Sequence, residues 1–321
     1  MLKYLIQVQS LLTLVLCELG VFMRRVSLLA ILLVSISSSY SYSSVEAPEN
    51  QSLSTAGDVV ELSFSYLPEK RYSVSTEING SMVMSVDDGV VNPPKGFEFR
   101  IPVVAKSKQV VEQAVITGKK TVGGSYPIEM TMLRNDAYQS FNGSEMSKIP
   151  NTAEQLIGLT MLGEVTNDGG MKYISIKEEN VPKEVDVVME SLFSQVGGAM
   201  AEFNGKSIRV GGSVTQLLPM RFPAADGSSI ALEIEIIYKL ISITKDLANF
   251  DLDYKFILNA SIDRATMGFT GAGGGSMTYD TVMKYVPEMD GSMRMEMRIP
   301  LEGGDLLNVL NSRTITKTSL E

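Results

Sequence analysis

The sequence predicts a mainly β protein built on one large curved antiparallel sheet, a barrel or half-barrel, with about one helix. Three observations carry this. Long stretches alternate apolar and polar residues with period two, Gly- and Asp-containing turn sequences separate many of them, and only one segment has helical spacing. The cleanest alternation near the N-terminal side puts Tyr72, Val74, Thr76, Ile78, Met82, Met84 and Val86 on one face, with Arg71, Ser73, Ser75, Glu77 and Ser81 opposite. It predicts one long strand, or two divided at Asn79-Gly80. Later, SIALEIEIIYKLISIT and FDLDYKFILNASID flank KDLAN and predict a half-buried hairpin, in which Phe250, Leu252, Tyr254, Phe256 and Leu258 face away from Asp251, Asp253 and Lys255. Further strands are expected over 60–66, 97–105, 110–118, 126–134, 157–166, 171–178, 206–216, 266–281 and 291–300. VDDGVV, TNDGGM and MDGSM read as turns in which Gly supplies positive φ. PKEVDVVMESLFSQVGGAM (182–200) gathers Val185, Val188, Met189, Leu192, Phe193 and Val196 on one side, between Pro182 and Gly197-Gly198, and reads as the helix. Strands this long with one apolar face must curl around it or receive a helix across it.

The chain has 321 residues, 28 basic and 37 acidic, and a net charge of −9. No run of Lys or Arg forms a stripe that could follow a phosphate backbone, so no nucleic-acid partner is expected. Residues 1–43 differ from the rest. Met23-Arg24-Arg25, the apolar VSLLAILLVSI and the small residues of SSSYSYSS form the three parts of an export signal, with cleavage after Ser41 or Ser43. Residues 1–22 then read as an upstream extension and Met23 as the start. A retained anchor is the alternative, but the apolar core, Val26 to Ile36, is shorter than the roughly 20 residues a spanning helix needs. The segment 44–58 reads as a flexible leader and 59–321 as a single β domain. A periplasmic or extracellular location follows. Cys17 is the only cysteine and precedes the signal core, so disulfides are not expected.

Candidate chemistry is sparse. GAGGGS (271–276) has the glycine density of a phosphate loop, but SMTYD after it alternates as a strand where a helix is required, so a turn or a bent barrel corner is expected. Ser242 and Lys245 match Ser-x-x-Lys formally, yet they end a strand rather than share a helical turn. With no histidine, and no cysteine beyond Cys17, the usual nucleophilic triads are missing. Glu233, Glu235, Asp251 and Asp253 alternate outward and read as solvated faces. No catalytic residue, no enzyme activity and no resident cofactor are expected.

The methionines stand out. They recur as MVM (82–84), MTM (130–132) and MRMEM (293–297), which makes Met82, Met84, Met130, Met132, Met293, Met295 and Met297 candidate lining residues. Met is unbranched and polarizable and suits an irregular interior. Thioethers also favour Cu(I), and Met-x-Met on a strand places two sulfurs about 7 Å apart on one face. Core filling, the lining of an apolar or lipid-like ligand cavity, and a Cu(I) site at Met293, Met295 and Met297 all remain open.

Across roughly residues 70–300 the order of features resembles that of exported bacterial β proteins grouped as a family of unknown function. The shared features are a Met/Thr-rich opening strand, a hairpin after FNGKSIRVGGSVTQLLP, and GAGGGSMTYDTVMKYVPEMDGSMRMEM, in which Gly271 to Gly275, Asp280 and Met293 to Met297 take the family's places. The resemblance implies export and β architecture and no site. At the level of fold alone the chain is similar to periplasmic lipoprotein carriers, whose half-barrel with a helical lid holds acyl chains. These readings lead to an exported, non-catalytic envelope protein that binds or carries an apolar or lipid-like molecule. The alternatives are a periplasmic Cu(I)-binding protein and a ligand-free module that engages an envelope protein partner.

Overall fold

The computed structural model describes residues 59–63, 66–86, 102–149, 156–179, 181, 186, 190, 205–223, 229–258, 268–301 and 304–321. The export signal, the leader, VDDGVV and all of the expected helix except Asp186 and Glu190 lie outside the described residues. Fourteen strands follow in order: β1 (Val59–Leu62), β2 (Arg71–Val86), β3 (Val103–Thr117), β4 (Tyr126–Phe141), β5 (Ser147–Lys148), β6 (Thr160–Val165), β7 (Met171–Ile176), β8 (Lys206–Arg209), β9 (Ser213–Pro223), β10 (Ser229–Thr244), β11 (Leu247–Leu258), β12 (Gly268–Asp280), β13 (Tyr285–Leu301) and β14 (Gly304–Leu320). The fold class is the expected one. A 12-stranded antiparallel sheet runs β7-β6-β4-β3-β2-β14-β13-β12-β11-β10-β9, with β5 on β4, and β1 pairs with β8 as a separate ribbon. Among the described residues no pairing joins the two edge strands, β7 and β9. Pro219 and Pro223 sit on edge strand β9, where a missing ladder donor is tolerated.

The sheet is strongly curled, and one short segment proves it. Just after β1, Ser63 accepts a hydrogen bond from the Tyr279 hydroxyl of β12 at 3.1 Å, and the Tyr66 carbonyl accepts one from the Tyr126 hydroxyl of β4. Strands β4 and β12 are five ladder steps apart, about 24 Å on a flat sheet. Ser63 and Tyr66 are three residues apart and span at most roughly 10 Å. Side chains on one face stand nearly parallel unless the sheet bends, so the inner faces of β4 and β12 must turn toward each other. Bulges at Glu112/Gln113, Thr278/Asp280 and Leu240/Ser242 supply extra local twist.

The β1–β8 ribbon fills one end of the curl. Val60, Leu62 and Ile208 are buried in a single large cluster with Tyr72, Val115, Ile128, Met130, Leu240, Phe250 and Tyr279, which come from strands far apart in the sheet. Tyr72 packs edge-on against Tyr66 at 4.9 Å, and its hydroxyl accepts from the Leu67 amide at 2.8 Å. A second, smaller cluster lies toward the other end: Met82, Met84, Ala105 and Leu306, with Val86, Val103, Met297 and Leu310 against it.

The outer face is charged. Arg313 meets Asp290 across β14 and β13, Lys108 meets Glu77 across β3 and β2, Arg134 meets Glu112, Lys177 meets Glu129, and Lys255 meets Glu235. Each exposed pair contributes at most about 1 kcal/mol, so their meaning is orientational rather than energetic. A membrane barrel needs an apolar outer band. Here the outer positions of the described strands mix those charges with exposed Val83, Ile116 and Ile241.

Several sequence expectations require correction. Of the two readings of the opening alternation the structure takes the first, one long strand, β2, unbroken at Asn79-Gly80; the others change. MDGSM is not a turn but lies within β13, and GAGGGS lies inside β12, both paired on two sides. The hairpin connection is only Lys245-Asp246, since Thr244 pairs with Leu247, and Lys245 takes φ of 56° to close it. The expected 206–216 strand is two strands, interrupted where Gly211 adopts φ of 85° and Gly211-Gly212 bond to Leu240. The last strand, β14, has no clean apolar face in the sequence, because LLNVLNSRTITKT puts Asn, Ser and Thr on the inner side and mixes Leu, Val and Ile with Arg313 and Lys317 on the outer one.

Candidate functional site: a trough across the inner face

The inner face of the curl is not uniformly sealed. Along β2 its residues run buried at Tyr72, Val74 and Thr76, half-buried at Ile78 and Gly80, then buried again at Met82 and Met84. Neighbouring strands repeat this at the same level. On β14, Leu310 and Ser312 are half-buried between buried Asn308 and buried Thr314; on β3, Ser107 is half-buried between buried Ala105 and Gln109. On β13, Met293 and Met295 are half-buried beyond buried Met289 and Gly291, and on β11 Tyr254 and Phe256 follow buried Phe250 and Leu252. Aligned by register, these positions form a trough between the two apolar clusters.

One row of cross-strand partners runs along it: Gln139, Ser107, Gly80, Ser312, Met293, Gly273, Tyr254, Ile236 and Gln216. Four of these are Gly or Ser, so the interior loses side-chain volume where the two clusters part. The glycines are required by close approach. A Cβ on Gly273 would lie 2.2 Å from the Ser292 carbonyl oxygen, and one on Gly275 would lie 2.1 Å from that of Asp290. Across the same strands a Cβ on Gly271 would lie 2.8 Å from the Phe256 ring, and one on Gly291 2.9 Å from the Tyr254 hydroxyl. Aromatic side chains therefore lie over the bare backbone of β12 and β13, as they do over glycines in other sheets. The segment is the interior of a strand paired on both sides, with no geometry for phosphate.

The polar groups of this interior are neutral. Over the described inner-facing positions of β2, β3, β4, β11, β12, β13 and β14 there is no Asp, Glu, Lys or Arg; the polar members include Thr76, Ser107, Gln109, Gln113, Asn135, Gln139, Asn308, Ser312, Thr314 and Thr316. Some are satisfied. The Gln109 amide donates to Asn135 Oδ1 at 2.8 Å, the Thr76 and Thr316 hydroxyls meet at 3.4 Å, and the Tyr238 hydroxyl donates to Gln216 Oε1 at 2.8 Å. Others are not. Asn308 Nδ2 and Oδ1, Gln113 Nε2 and Oε1, Asn135 Nδ2 and Gln216 Nε2 are buried without a hydrogen-bond partner among the described residues. Asn308 stands between Met84 and Met297 on the neighbouring strands and next to Leu310 on its own face.

Tyr254 is the trough's one titratable group. Burial, reinforced by the Asp290 charge, pushes its phenol well above the ordinary range and keeps it protonated and neutral.

The candidate methionines divide among three surroundings. Met293 and Met295 line the trough, while Met297 is half-buried against the smaller cluster that contains buried Met82 and Met84. Met130 and Met132 are each 1 % exposed inside the large cluster, away from the trough. The structure brings Met82, Met84, Met295 and Met297 to the two flanks of β14 at Leu310 and Asn308. Among the described residues no three His, Cys, Asp or Glu side chains gather as a metal site. Sequence reasoning missed Ser107, Gly80, Ser312, Tyr254, Asn308 and Gln216 as site residues, because nothing short of register reveals that they share one level.

No family model matches the chain, and no curated relative matches it. The translocator domain of autotransporter NalP from Neisseria meningitidis is similar over 78% of this chain and 88% of its own at 9% identity, with a TM-score of 0.19. OccK7 (OpdD) from Pseudomonas aeruginosa overlaps 78% of this chain and 99% of its own at 7% identity, with a TM-score of 0.20. The binding domain of botulinum neurotoxin serotype C1 overlaps 76% and 78% at 8% identity, with a TM-score of 0.14. Overlaps this loose carry no argument about activity, and the all-β character of the chain rests on its own strand ladders.

Proposed function

We propose that the protein is an exported, non-catalytic binding or carrier protein whose curled sheet holds an apolar or lipid-like molecule in the trough. The observation that carries this reading is the row of Gly and Ser between two apolar clusters, flanked by half-buried Ile78, Leu310, Met293 and Met295. Ligand pockets are mostly apolar with a few placed polar groups, which is the composition found here. The ion-paired outer face keeps the loaded protein in water, as a carrier between membranes requires. The test is native mass spectrometry of the whole chain produced in a bacterium with an intact export system and purified without detergent, followed by organic extraction. A reproducible extra mass identified as a lipid supports the reading. A clean unliganded mass, unchanged after incubation with lipid vesicles, overturns it and turns the search toward an envelope protein partner.

A second reading is kept because the register gathers four thioethers on either side of β14. Met82, Met84, Met295 and Met297 could offer a soft Cu(I) site, with Met293 next along β13. Replacement of Met293, Met295 and Met297 by Leu tests it: Cu(I) affinity that does not change eliminates it.

A further inference from the structure

Resting on that carrier reading, we infer that the trough selects an electrically neutral ligand, an acyl ester, acyl amide or long-chain alcohol, over the free fatty acid anion. The first argument is the distribution of charge. The chain has 28 basic and 37 acidic residues, yet none of these types occurs at the described inner-facing positions of seven consecutive central and flanking strands. A carboxylate bound there would lose its hydration and meet no cation, and an uncompensated buried charge is strongly disfavoured. Tyr254, the one titratable group in the trough, is held in its neutral form and supplies no charge either.

The second argument is the set of amide groups without partners. Buried polar groups are nearly always hydrogen-bonded, so an orphan needs a reason. Asn308 is 5% exposed with both its donor and its acceptor open. Gln216, at one end of the trough's row, has its Oε1 engaged by Tyr238 and its Nε2 open. An ester or amide carbonyl accepts from one of these N–H groups, and at Asn308 an amide N–H or an alcohol also satisfies Oδ1. A plain hydrocarbon satisfies none of them. The serine hydroxyls of Ser107 and Ser312 lie in the same row and add adaptable donors and acceptors. The apolar clusters on either side receive the ligand's chain.

Displacement of Nile red from the full-length protein tests this with ligands of one chain length: hexadecanamide, hexadecanol, palmitate and hexadecane. Hexadecanamide and hexadecanol should bind at least about ten-fold tighter than palmitate at neutral pH and tighter than hexadecane. In Asn308→Leu the preference of hexadecanamide over hexadecane should shrink by several-fold. Gln216→Leu serves as a second variant should the first fail to fold. Palmitate binding as tightly as the neutral ligands overturns the inference and leaves the carrier reading intact. So does a preference for hexadecanamide that survives in both variants. If neither Nile red nor any of the four binds, the carrier reading itself falls.

Discussion

Replacing Asn308 by Leu should make the unliganded protein more stable, which is the opposite of what most core substitutions do. The reasoning starts from the native side chain. Asn308 is buried on the inner face of β14, both atoms of its amide are without partners, and its cross-strand neighbours are Met84 and Met297. Folding strips water from the amide and returns no hydrogen bond, at a cost of about 1–3 kcal/mol. Leu is close in size, removes that cost, and buries apolar surface against Leu306 and Leu310. The net change should therefore be a stabilisation of about 1–3 kcal/mol. With a urea m-value of roughly 2–3 kcal/mol per molar, the midpoint should rise by about 0.5–1 M with m unchanged. Asn135→Leu is the control. Asn135 also has an open Nδ2, but its Oδ1 holds the Gln109 amide at 2.8 Å, and Leu there would orphan Gln109 as well. That variant should be destabilised. If Asn308→Leu unfolds at lower urea than the native chain, its amide is satisfied in solution, and the polar margin of the trough loses its physical basis.

Other measurements follow from the same geometry. Gly275→Ala should destabilise by about 1–3 kcal/mol, because its Cβ would press on the Asp290 carbonyl, whereas Gly123→Ala, with only the Thr121 hydroxyl nearby, should stay within about 0.5 kcal/mol in urea unfolding. Tyr279→Phe removes both hydrogen bonds to Ser63, so amide exchange of Val60 and Leu62 in β1 should accelerate before global stability changes. The pH profile has two shoulders. Burial raises the phenols of Tyr66, Tyr254 and Tyr279 and pushes Tyr72 up to about 12, so the folded state holds these protons more tightly than the unfolded chain; this stability is complete below about pH 10 and is lost as pH rises further. Tyrosinate absorbance should therefore appear together with loss of β-sheet circular dichroism, and a smooth independent titration would refute the burial. On the acid side Arg313 lowers Asp290, and Lys148 with Arg134 lowers Asp136, so their contribution is present above roughly pH 4 and disappears below it. Asp290→Asn should remove part of that acid limb and, by taking away the charge beside Tyr254, also reduce the alkaline one slightly.

How much of this was legible in the sequence depends on which interaction decides each feature. Period-two alternation follows from side-chain geometry, so β2 and the β10–β11 hairpin could be read with their faces. Where polar residues point inward the pattern blurs. β14 puts Asn308, Ser312, Thr314 and Thr316 among the inner residues and mixes Leu307, Val309 and Ile315 with Asn311, Arg313 and Lys317 on the outer face, so neither face reads as apolar. Glycine misled for a related reason. Gly274, Gly275 and Gly291 look like turn residues, yet they occupy paired positions because neighbouring backbone and the Tyr254 ring leave no room for a Cβ. The trough was not legible at all, since it is a level shared by nine strands and depends on each stagger. The methionine faces were read correctly as inward, but only register separates Met293 and Met295 in the trough from Met130 and Met132 in the sealed cluster.

The polarity of this sheet also constrains what its interior can do. An antiparallel sheet that curls has two surfaces, and the sequence must decide which one faces water. Here the decision is written in cross-strand pairs: Arg313 with Asp290, Lys317 with Glu288 and Lys108 with Glu77 all occupy the outer register positions. The inner positions of the same strands hold Met, Gly, Ser, Thr, Asn and Gln. A protein selected for a tight core alone would fill those positions with branched aliphatics, which pack into defined rotamers. Methionine and glycine give up that definition, and buried amides without partners give up stability besides. Methionine is not confined to the trough, since Met130, Met132, Met277 and Met289 belong to the large cluster, where Tyr72, Tyr279, Phe250, Leu62 and Ile128 pack with almost no exposure; what marks the trough's level is glycine and serine beside half-buried Met293 and Met295. On the carrier proposal, the sealed end would hold the shape of the sheet and the less sealed level beside it would receive the uncharged guest.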